Sequence, residues 1–227
     1  MGTLSVIGTP IGNLGDITLR ALETLKRCDV IACEDTRVTS KLLARYDIQK
    51  PLLIFHARSG KLASERILAL LGEGKHVALV TDAGTPGISD PGNALVAEVR
   101  ARLQDEARIE SVPGVSALTA ALSIAGVQSA EFIFLGFLPH KKGRQTLFKE
   151  IAGEERAVVF YESPHRIEKA LASLAEALPE GRLVTVAREL TKIHESVVQG
   201  TPAEVAAYFT SHSDEVRGEF VVIVSAC

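Results

Sequence analysis

The stretch that decides the fold of this chain is Val77-Ala-Leu-Val-Thr-Asp-Ala-Gly-Thr-Pro-Gly-Ile-Ser-Asp-Pro-Gly92. It opens within an apolar run, His76 to Val80, of the kind that a buried parallel strand needs. It ends at Asp90-Pro91, which favours the start of a helix because Asp is a strong N-cap and Pro suits the first helical position. The stretch therefore predicts a strand, a glycine-rich loop and a helix that runs to about Leu103.

The loop between this strand and this helix has the features of a ligand-binding loop. In an open α/β sheet, ligands bind beyond the carboxyl ends of the strands, where such a loop lies. Its glycines allow backbone N–H groups to approach a ligand closely. The loop is also longer than a tight strand–helix connection requires. We expect a small-molecule site here, with polar atoms from Thr81, Asp82, Thr85 and Ser89.

The rest of the first half repeats the alternation of strand and helix. Strands are predicted at 4–7, 30–33, 52–55 and 109–112, and helices from about Thr18, from Val38 to Tyr46 and from Lys61 to Leu71. Five strands alternating with four helices predict a mostly parallel, doubly wound sheet. The alternation stops at Pro113-Gly114, so we expect an N-terminal α/β domain over 1–112 and a second domain over 113–227.

In the second half the strands and helices no longer alternate regularly, which predicts a mixed α/β sheet. Leu183 to Arg188 and Ser196 to Val198 are separated by only a short polar segment, so the two strands can pair antiparallel. Thr201-Pro-Ala-Glu204 is a capping box and predicts a helix from Pro202. Ser163-Pro164 predicts another capped helix start.

The composition is that of an ordinary globular protein. The chain has 227 residues, of which 46% are hydrophobic and 23% charged, with a net charge of −3. This charge argues against broad, non-specific binding to DNA or RNA, but it leaves room for a local basic patch. The apolar runs are too short to span a bilayer, and the first residues show no secretion signal. With three cysteines and no disulfide pattern, the sequence predicts a cytoplasmic protein without a membrane partner.

The sequence lacks the motifs of several common cofactor-binding and catalytic sites. The acidic pair Glu34-Asp35 lies where a dinucleotide fold would hold a ribose, but no GxGxxG motif follows the first strand, so NAD is a weak alternative. No phosphate-binding GxxxxGK[ST] loop occurs. The histidines show no zinc-ligand spacing, so no metal is expected. A serine nucleophile elbow, GxSxG, is also missing.

Seven ordered motifs resemble one known family. They are Gly8-Thr-Pro-Ile-Gly-Asn13, Glu34-Asp-Thr-Arg37, Thr81 to Gly92, Val112-Pro-Gly-Val-Ser-Ala117, Gly136-Phe-Leu-Pro139, Tyr161-Glu-Ser-Pro-His-Arg166 and Arg188-Glu-Leu-Thr-Lys192. Together they resemble the tetrapyrrole methylase superfamily, and within it the branch that methylates the 2′-oxygen of a cytidine in small-subunit ribosomal RNA. The resemblance covers essentially the whole chain. Members commonly continue into a helical extension after the last strand, whereas this sequence stops at Cys227.

The resemblance implies a fold, a cofactor and a substrate. The fold would be two α/β domains with S-adenosylmethionine in the cleft between them, usually in a homodimer. The substrate would be a cytidine in the decoding region of 16S ribosomal RNA, within the small ribosomal subunit. The residues that the resemblance assigns to the cofactor are Pro10, Asp82, Ala83, Gly84, Thr85, Ile88, Ser116, Ala117, Glu162 and Leu190.

A ribose 2′-hydroxyl must lose its proton as it takes up a methyl group, so a base is expected nearby. The acids at predicted strand ends are Glu34, Asp35 and Glu189, and His165 is the nearest base that titrates near neutral pH. The sequence leaves the choice among them open. Candidates for contacts with RNA phosphates are Arg37, Lys141, Lys142, Arg144, Arg166 and Lys192.

Two other functions fit parts of the sequence. The first is methylation of a corrin or porphyrin precursor on the same fold, which Glu34-Asp-Thr-Arg37 and Tyr161-Glu-Ser-Pro-His-Arg166 disfavour because these motifs belong to the RNA branch. The second is a non-catalytic module that binds a nucleotide or S-adenosylmethionine and regulates a partner. Methyl transfer to RNA would distinguish the enzyme from the module.

Overall fold

A computed structural model describes residues 1–56 and 60–227 of the chain. It contains two compact units, Met1–Ser116 and Ala117–Cys227. The boundary predicted after residue 112 precedes this division by a few residues. Within the described ranges, no helix is long and apolar enough to cross a membrane.

In the part of the first unit that the structure describes, five strands alternate with four α-helices, as the sequence predicts. The strands are β1 (Gly2–Ile7), β2 (Val30–Cys33), β3 (Leu52–Ile54), β4 (His76–Leu79) and β5 (Ala107–Val112). The helices are α1 (Leu19–Arg27), α2 (Thr36–Arg45), α3 (Gly60–Gly72) and α4 (Gly92–Leu103). The Thr18 hydroxyl caps α1 by accepting the Ala21 N–H.

These strands form one parallel sheet in the order β3-β2-β4-β1-β5. Successive residues of a strand point to opposite faces, and both faces are apolar. Along β4, Val77 and Leu79 pack into the core that includes α3 and α4, whereas Ala78 packs into the core that includes α1 and α2. The sheet is therefore covered on both sides, which confirms the predicted doubly wound architecture.

The start of α4 differs from the prediction by one residue. The N-cap is Pro91, which makes no side-chain cap, and not Asp90. The Asp90 carboxylate accepts the N–H groups of Gly92, at 2.8 Å, and of Gly87, at 2.8 and 2.9 Å. Asp90 thus accepts hydrogen bonds from a residue before it and from a residue after it. These bonds stabilise the end of the loop and the first residue of α4.

The second unit has five strands and four helices. The strands are β6 (Phe132–Phe137), β7 (Ala157–Glu162), β8 (Val184–Arg188), β9 (Ser196–Gly200) and β10 (Phe220–Val224). The helices are α5 (Ala117–Ile124), α6 (Arg144–Gly153), α7 (Ile167–Ala177) and α8 (Pro202–Ser211). The predicted capping box at Thr201 and Glu204 is present in full.

The second sheet is mixed, in the order β6-β7-β10-β8-β9. Only β6 and β7 are parallel, and β8 pairs antiparallel with β9 as predicted. Phe148, Leu171 and Phe209, from α6, α7 and α8, pack with Phe160 and Val222 in one core. The mixed sheet and its core confirm the predicted class of the second half.

The prediction that Ser163 caps a helix by its side chain is wrong. Helix α7 begins at Ile167, and its N-cap, Arg166, makes no side-chain cap. The Ser163 carbonyl, rather than its hydroxyl, accepts the N–H groups of Arg166 and Ile167, each at 3.0 Å. The Arg166 guanidinium pairs with Glu162 and bonds to Ser163 Oγ, so this segment forms a turn around an ion pair before the helix begins.

Candidate active site

The carboxyl ends of β1 and β4 meet at the switch point of the first sheet. These strands are neighbours, but the helix after β1 packs on one face and the helix after β4 on the other. Ligands of open α/β sheets bind at such a point. The fold therefore places the glycine-rich loop, Thr81 to Asp90, where the sequence predicts a ligand.

Hydrogen bonds between two backbone segments hold this loop. The Thr9 N–H donates to Gly84 O at 2.8 Å, and the Gly84 N–H donates to Thr9 O at 3.1 Å. The Thr9 hydroxyl lies within hydrogen-bond distance of the carbonyls of Thr81, at 3.1 Å, and Gly84, at 3.2 Å. The sequence placed Thr9 in a glycine-rich motif but did not predict this bridge, because the bridge depends on β1 and β4 being neighbours in the sheet.

Glycine is required at two kinds of position around this loop. Gly84 and Gly87 have φ values of +85° and +90°, which side chains rarely adopt. Gly8 and Gly114 meet at the ends of β1 and β5, where a Cβ on Gly8 would lie 2.7 Å from the Gly114 Cα. The Thr85 hydroxyl donates to Val115 O at 3.0 Å, so the loops that follow β1, β4 and β5 form one backbone cradle.

The acids at the end of β2 lie close to this loop. The Asp35 N–H donates to the Asp82 carboxylate at 3.0 Å, and the Thr81 hydroxyl donates to Glu34 Oε1. Glu34 Oε2 accepts no hydrogen bond from residues 1–56 and 60–227. The structure therefore brings Glu34, Asp35 and Asp82 together, as expected for the carboxyl ends of neighbouring strands.

Asp35 has a structural role of its own. Helix α2 begins at Thr36, two residues before the predicted start, so that Asp35 is its N-cap and accepts the Arg37 N–H at 2.8 Å. The Arg37 guanidinium also binds this carboxylate. The hydrogen bond from the Arg37 side chain is the main reason that the pKa of Asp35 falls to about 2. Asp35 is therefore ionised at neutral pH but is a weak base.

Glu189, in the second unit, is held in a strained turn. Glu189 and Thr191 have φ values of +50° and +67°, although neither is glycine. The Glu189 carboxylate accepts Lys192 Nζ at 2.7 Å and the Glu219 N–H at 3.0 Å. Burial acts to raise the pKa of Glu189, but the bonds from Lys192 and Glu219 lower it overall. Lys192 is thus paired with acids, and the buried Leu190 lies within the same turn.

Glu162 is the centre of a buried ion-pair cluster. Its side chain is fully buried, and its two oxygens lie 2.8 Å from Arg144 Nη2 and 2.8 Å from Arg166 Nε. The Arg166 guanidinium also donates to Leu138 O at 2.9 Å. We call Glu162, Arg144 and Arg166 the Glu162 cluster. The two arginine side chains are only 13% and 15% exposed, so the cations of the β6–α6 loop that face solvent are Lys141 and Lys142.

The remaining candidates divide between the two units. Pro10 is buried in the turn after β1, Ile88 is 43% exposed in the loop after β4, and Ser116 ends the first unit. Ala117 is the first residue of α5. His165, the neutral-pH base that the sequence suggested, is exposed in the turn before α7. Among the residues that the structure describes, no group of three or more His, Cys, Asp or Glu could hold a metal ion.

A cavity of about 730 Å³ opens beside the loop, and the sequence did not reveal it. Its lining comes from the ends of β2 and β3, the second half of the loop and the start of α4: Glu34, His56, Gly87, Ser89, Asp90, Pro91 and Asn93. No motif marks either His56, which the fold brings to the loop from the end of β3, or Asn93, which directly follows the loop in the sequence.

Comparison with known proteins identifies the family. The chain is 46% identical over 225 residues to the ribosomal RNA small subunit methyltransferase I of Thermotoga maritima, covering 99% of both chains. It is also 46% identical to the protein of that name from Synechocystis, covering 99% of this chain and 79% of the relative.

Solved structures share the fold at low sequence identity. The methyltransferase CobJ superposes with a TM-score of 0.72 and 21% identity, over 100% of this chain and 95% of its own. The uroporphyrin-III C-methyltransferase of Thermus thermophilus superposes with a TM-score of 0.69 and 19% identity, over 99% of this chain and 94% of its own. The family model described as tetrapyrrole (corrin/porphyrin) methylases matches residues 3–206. The chain therefore belongs to the tetrapyrrole methylase family, as its seven motifs predicted.

Proposed function

We propose that this protein transfers a methyl group from S-adenosylmethionine to the 2′-oxygen of a cytidine in the decoding region of 16S ribosomal RNA. The observation that carries the proposal is the 46% identity, over nearly the whole chain, to relatives named ribosomal RNA small subunit methyltransferase I. The solved structures support only the fold, because their identity to this chain is about half as high. We further propose that the protein acts in the cytoplasm as a homodimer.

The backbone cradle fits the methionine part of S-adenosylmethionine. The positive φ of Gly84 disfavours a side chain there, and the close approach of Gly8 to Gly114 leaves no room for one, so the loops present backbone groups. Such groups can bind a carboxylate and an ammonium group. When bound, S-adenosylmethionine supplies a methyl group that its sulfonium sulfur already activates. Residues of the first unit that we assign to it are Pro10, Asp82, Ala83, Gly84, Thr85, Ile88 and Ser116.

The second unit supplies the other proposed cofactor contacts. They are Ala117, Leu190 and the segment at Glu162. Because both oxygens of Glu162 bind arginine, its side chain acts by holding the turn at 163–166 in place, and any contact from this residue must come from its backbone. The proposal that the cofactor lies between the two domains rests on the family resemblance.

Glu34 is the strongest candidate for the base among the three acids. The pKa of Asp35 is about 2 because Arg37 binds it, and the pKa of Glu189 is lowered because Lys192 and the Glu219 N–H outweigh its burial. Glu34 accepts a hydrogen bond from Thr81 at one oxygen only. We propose that Glu34 Oε2 takes the proton of the 2′-hydroxyl, a role that typically contributes about 10²- to 10⁴-fold in rate.

The first prediction concerns the cofactor loop. Replacing Gly84 with Val places a β-branched side chain at φ +85° and disturbs the bridge to Thr9. We expect the affinity for S-adenosylmethionine to fall by more than about tenfold, or ~1.4 kcal/mol, when it is measured by calorimetry. Gly126→Val is the matched control, since Gly126 also has positive φ, with nothing within 4 Å of a Cβ. Unchanged affinity in a folded Gly84→Val protein would remove the loop from the site.

The second prediction tests the RNA substrate. The net charge of −3 gives little diffuse attraction for RNA, so binding must depend on a few basic groups and on the shape of the target. We expect efficient methylation of assembled small subunits and little of naked ribosomal RNA. Changing Lys141 and Lys142 together to Ala should lower the rate on subunits at least about fivefold, or ~1 kcal/mol, and leave the affinity for S-adenosylmethionine within about twofold.

Arg144 is left intact in this experiment because it belongs to the Glu162 cluster, and its loss would disturb the fold. Lys26→Ala with Arg27→Ala, in the last turn of α1, removes the same charge from an exposed surface and serves as the control. Equal rates for the Lys141/Lys142 variant and this control would place the RNA elsewhere. Efficient methylation of short, unstructured RNA would contradict the preference for an assembled target.

A further inference from the structure

The cavity beside the loop is chemically suited to a neutral, hydrogen-bonding ligand. Its volume of about 730 Å³ is within the usual range of small-molecule sites. Its lining offers carboxylates, an imidazole, an amide and a hydroxyl, together with the apolar ring of Pro91. Among residues 1–56 and 60–227, none that lines the cavity is Lys or Arg. The carboxylates of Glu34 and Asp90 in this described lining repel a phosphate group, so they favour an uncharged ligand.

The hydrogen bonds of the lining residues show which groups are available to a ligand. The Asp90 carboxylate is already occupied by the N–H groups of Gly87 and Gly92. Glu34 has one oxygen bound to Thr81 and one without a hydrogen bond from the described residues. Asn93 is exposed in the first turn of α4, and its amide makes no hydrogen bond with residues 1–56 or 60–227. The free acceptor and the free amide thus line the same cavity.

The loop itself connects this cavity to the proposed cofactor site. Its first half, Thr81 to Thr85, bonds to Thr9 and Val115 in the backbone cradle. Its second half, Gly87 to Asp90, lines the cavity. A methyltransferase needs its acceptor next to its donor, because the alignment of the reacting atoms supplies much of the rate. The cavity is a space of this kind, on the other half of the same loop.

We propose that this cavity receives the target nucleoside of the RNA, unstacked from its neighbours, and that Asn93 is a substrate-binding residue. The proposal rests on the proposed function. A nucleoside is neutral, has a flat base that can lie on Pro91, and carries donors and acceptors that an amide can satisfy together. Enzymes that act on a nucleotide commonly take it out of the stack into such a pocket. The flanking phosphates would then bind outside the cavity.

The test varies Asn93 and leaves the cofactor loop intact. The rate of a single turnover is measured at increasing concentrations of small subunits. In Asn93→Ala, the concentration that gives half of the maximal rate should be at least tenfold higher than in the parent. Asn93→Arg should block the cavity and reduce transfer further, whereas a phosphate occupant would make this variant bind more tightly. Both variants should bind S-adenosylmethionine within about twofold of the parent. Arg100→Ala, exposed on the same helix, is the control and should behave as the parent does.

A second measurement does not depend on methyl transfer. Titration of the parent with millimolar cytidine should shift the NMR resonances of the Asn93 side-chain amide and the Gly87 N–H, and Asn93→Arg should abolish the shift at Gly87. A parent that binds cytidine but methylates no RNA would contradict the proposed function and support the nucleoside site. Parent-like kinetics in both Asn93 variants, tighter binding by Asn93→Arg, or no shift with cytidine would overturn the inference.

Discussion

Replacing Glu162 with Ala should destabilise the second unit by about 3 kcal/mol, because it leaves two largely buried guanidinium groups without their shared carboxylate. Both oxygens of Glu162 lie 2.8 Å from an arginine nitrogen, and the glutamate side chain is fully buried. The arginines retain some exposure to water, so we expect the lower end of the usual range for a broken buried pair. Urea denaturation, followed by far-ultraviolet circular dichroism, measures the effect.

The chain contains a matched control for this experiment. Glu65 pairs with Arg102 through two hydrogen bonds, but both side chains are about half exposed. Glu65→Ala should cost much less stability than Glu162→Ala, because water screens an exposed pair and solvates the arginine that remains. Equal losses of stability in Glu162→Ala and Glu65→Ala would show that the Glu162 cluster is not a buried network in solution.

Replacing Gly8 with Ala should cost about 3 kcal/mol in the first unit, at the upper end of the usual penalty for overpacking. The added Cβ would lie 2.7 Å from both Cα and N of Gly114. These are backbone atoms at the ends of β1 and β5, so they cannot rotate away as a flexible side chain can. Urea denaturation measures this loss in the same way.

The Gly8 substitution should also weaken the binding of S-adenosylmethionine, because Thr9 follows directly and carries the bridge to Gly84. Gly72→Ala is the matched control, since nothing lies within 4 Å of a Cβ there. That change should leave stability within about 0.5 kcal/mol of the parent or raise it slightly. A Gly8→Ala protein as stable as Gly72→Ala would show that the two backbones are not in close contact.

Local patterns were sufficient to predict most of the fold. The apolar run before Thr81, the threonine at position 18 and the capping box at Thr201 each act through neighbours in the sequence, so their structures follow from sequence alone. The helix caps predicted at Asp90 and Ser163 are wrong for a similar reason. Asp90 accepts the N–H of Gly87, three residues before it, and Arg166 pairs with Glu162, four residues before it, so a local turn takes the place of the simple helix cap in each segment.

The sequence predicted residues of the candidate site only where they belong to a recognisable motif. The loop after β4 and the acids after β2 could be placed at one sheet edge, because the carboxyl ends of parallel strands lie together. The bridge from Thr9 to Gly84 and the approach of His56 to the loop could not be placed, since both depend on which strands are neighbours. Asn93 directly follows the loop, but no motif marks its side chain as a candidate contact. The burial of Arg144 was also unpredictable, because Arg144 begins α6 whereas Glu162 ends β7, and only the fold brings the two together.

The central claim is tested most directly by identifying the product of the reaction. The full chain is incubated with S-adenosylmethionine carrying a labelled methyl group and with small ribosomal subunits that lack the modification. Nuclease digestion and mass spectrometry then locate the label. The account predicts a single 2′-O-methylcytidine in the decoding region of 16S ribosomal RNA. Label on a nucleobase, label on an added porphyrin or corrin precursor instead of RNA, or no transfer by a protein that binds S-adenosylmethionine would contradict it.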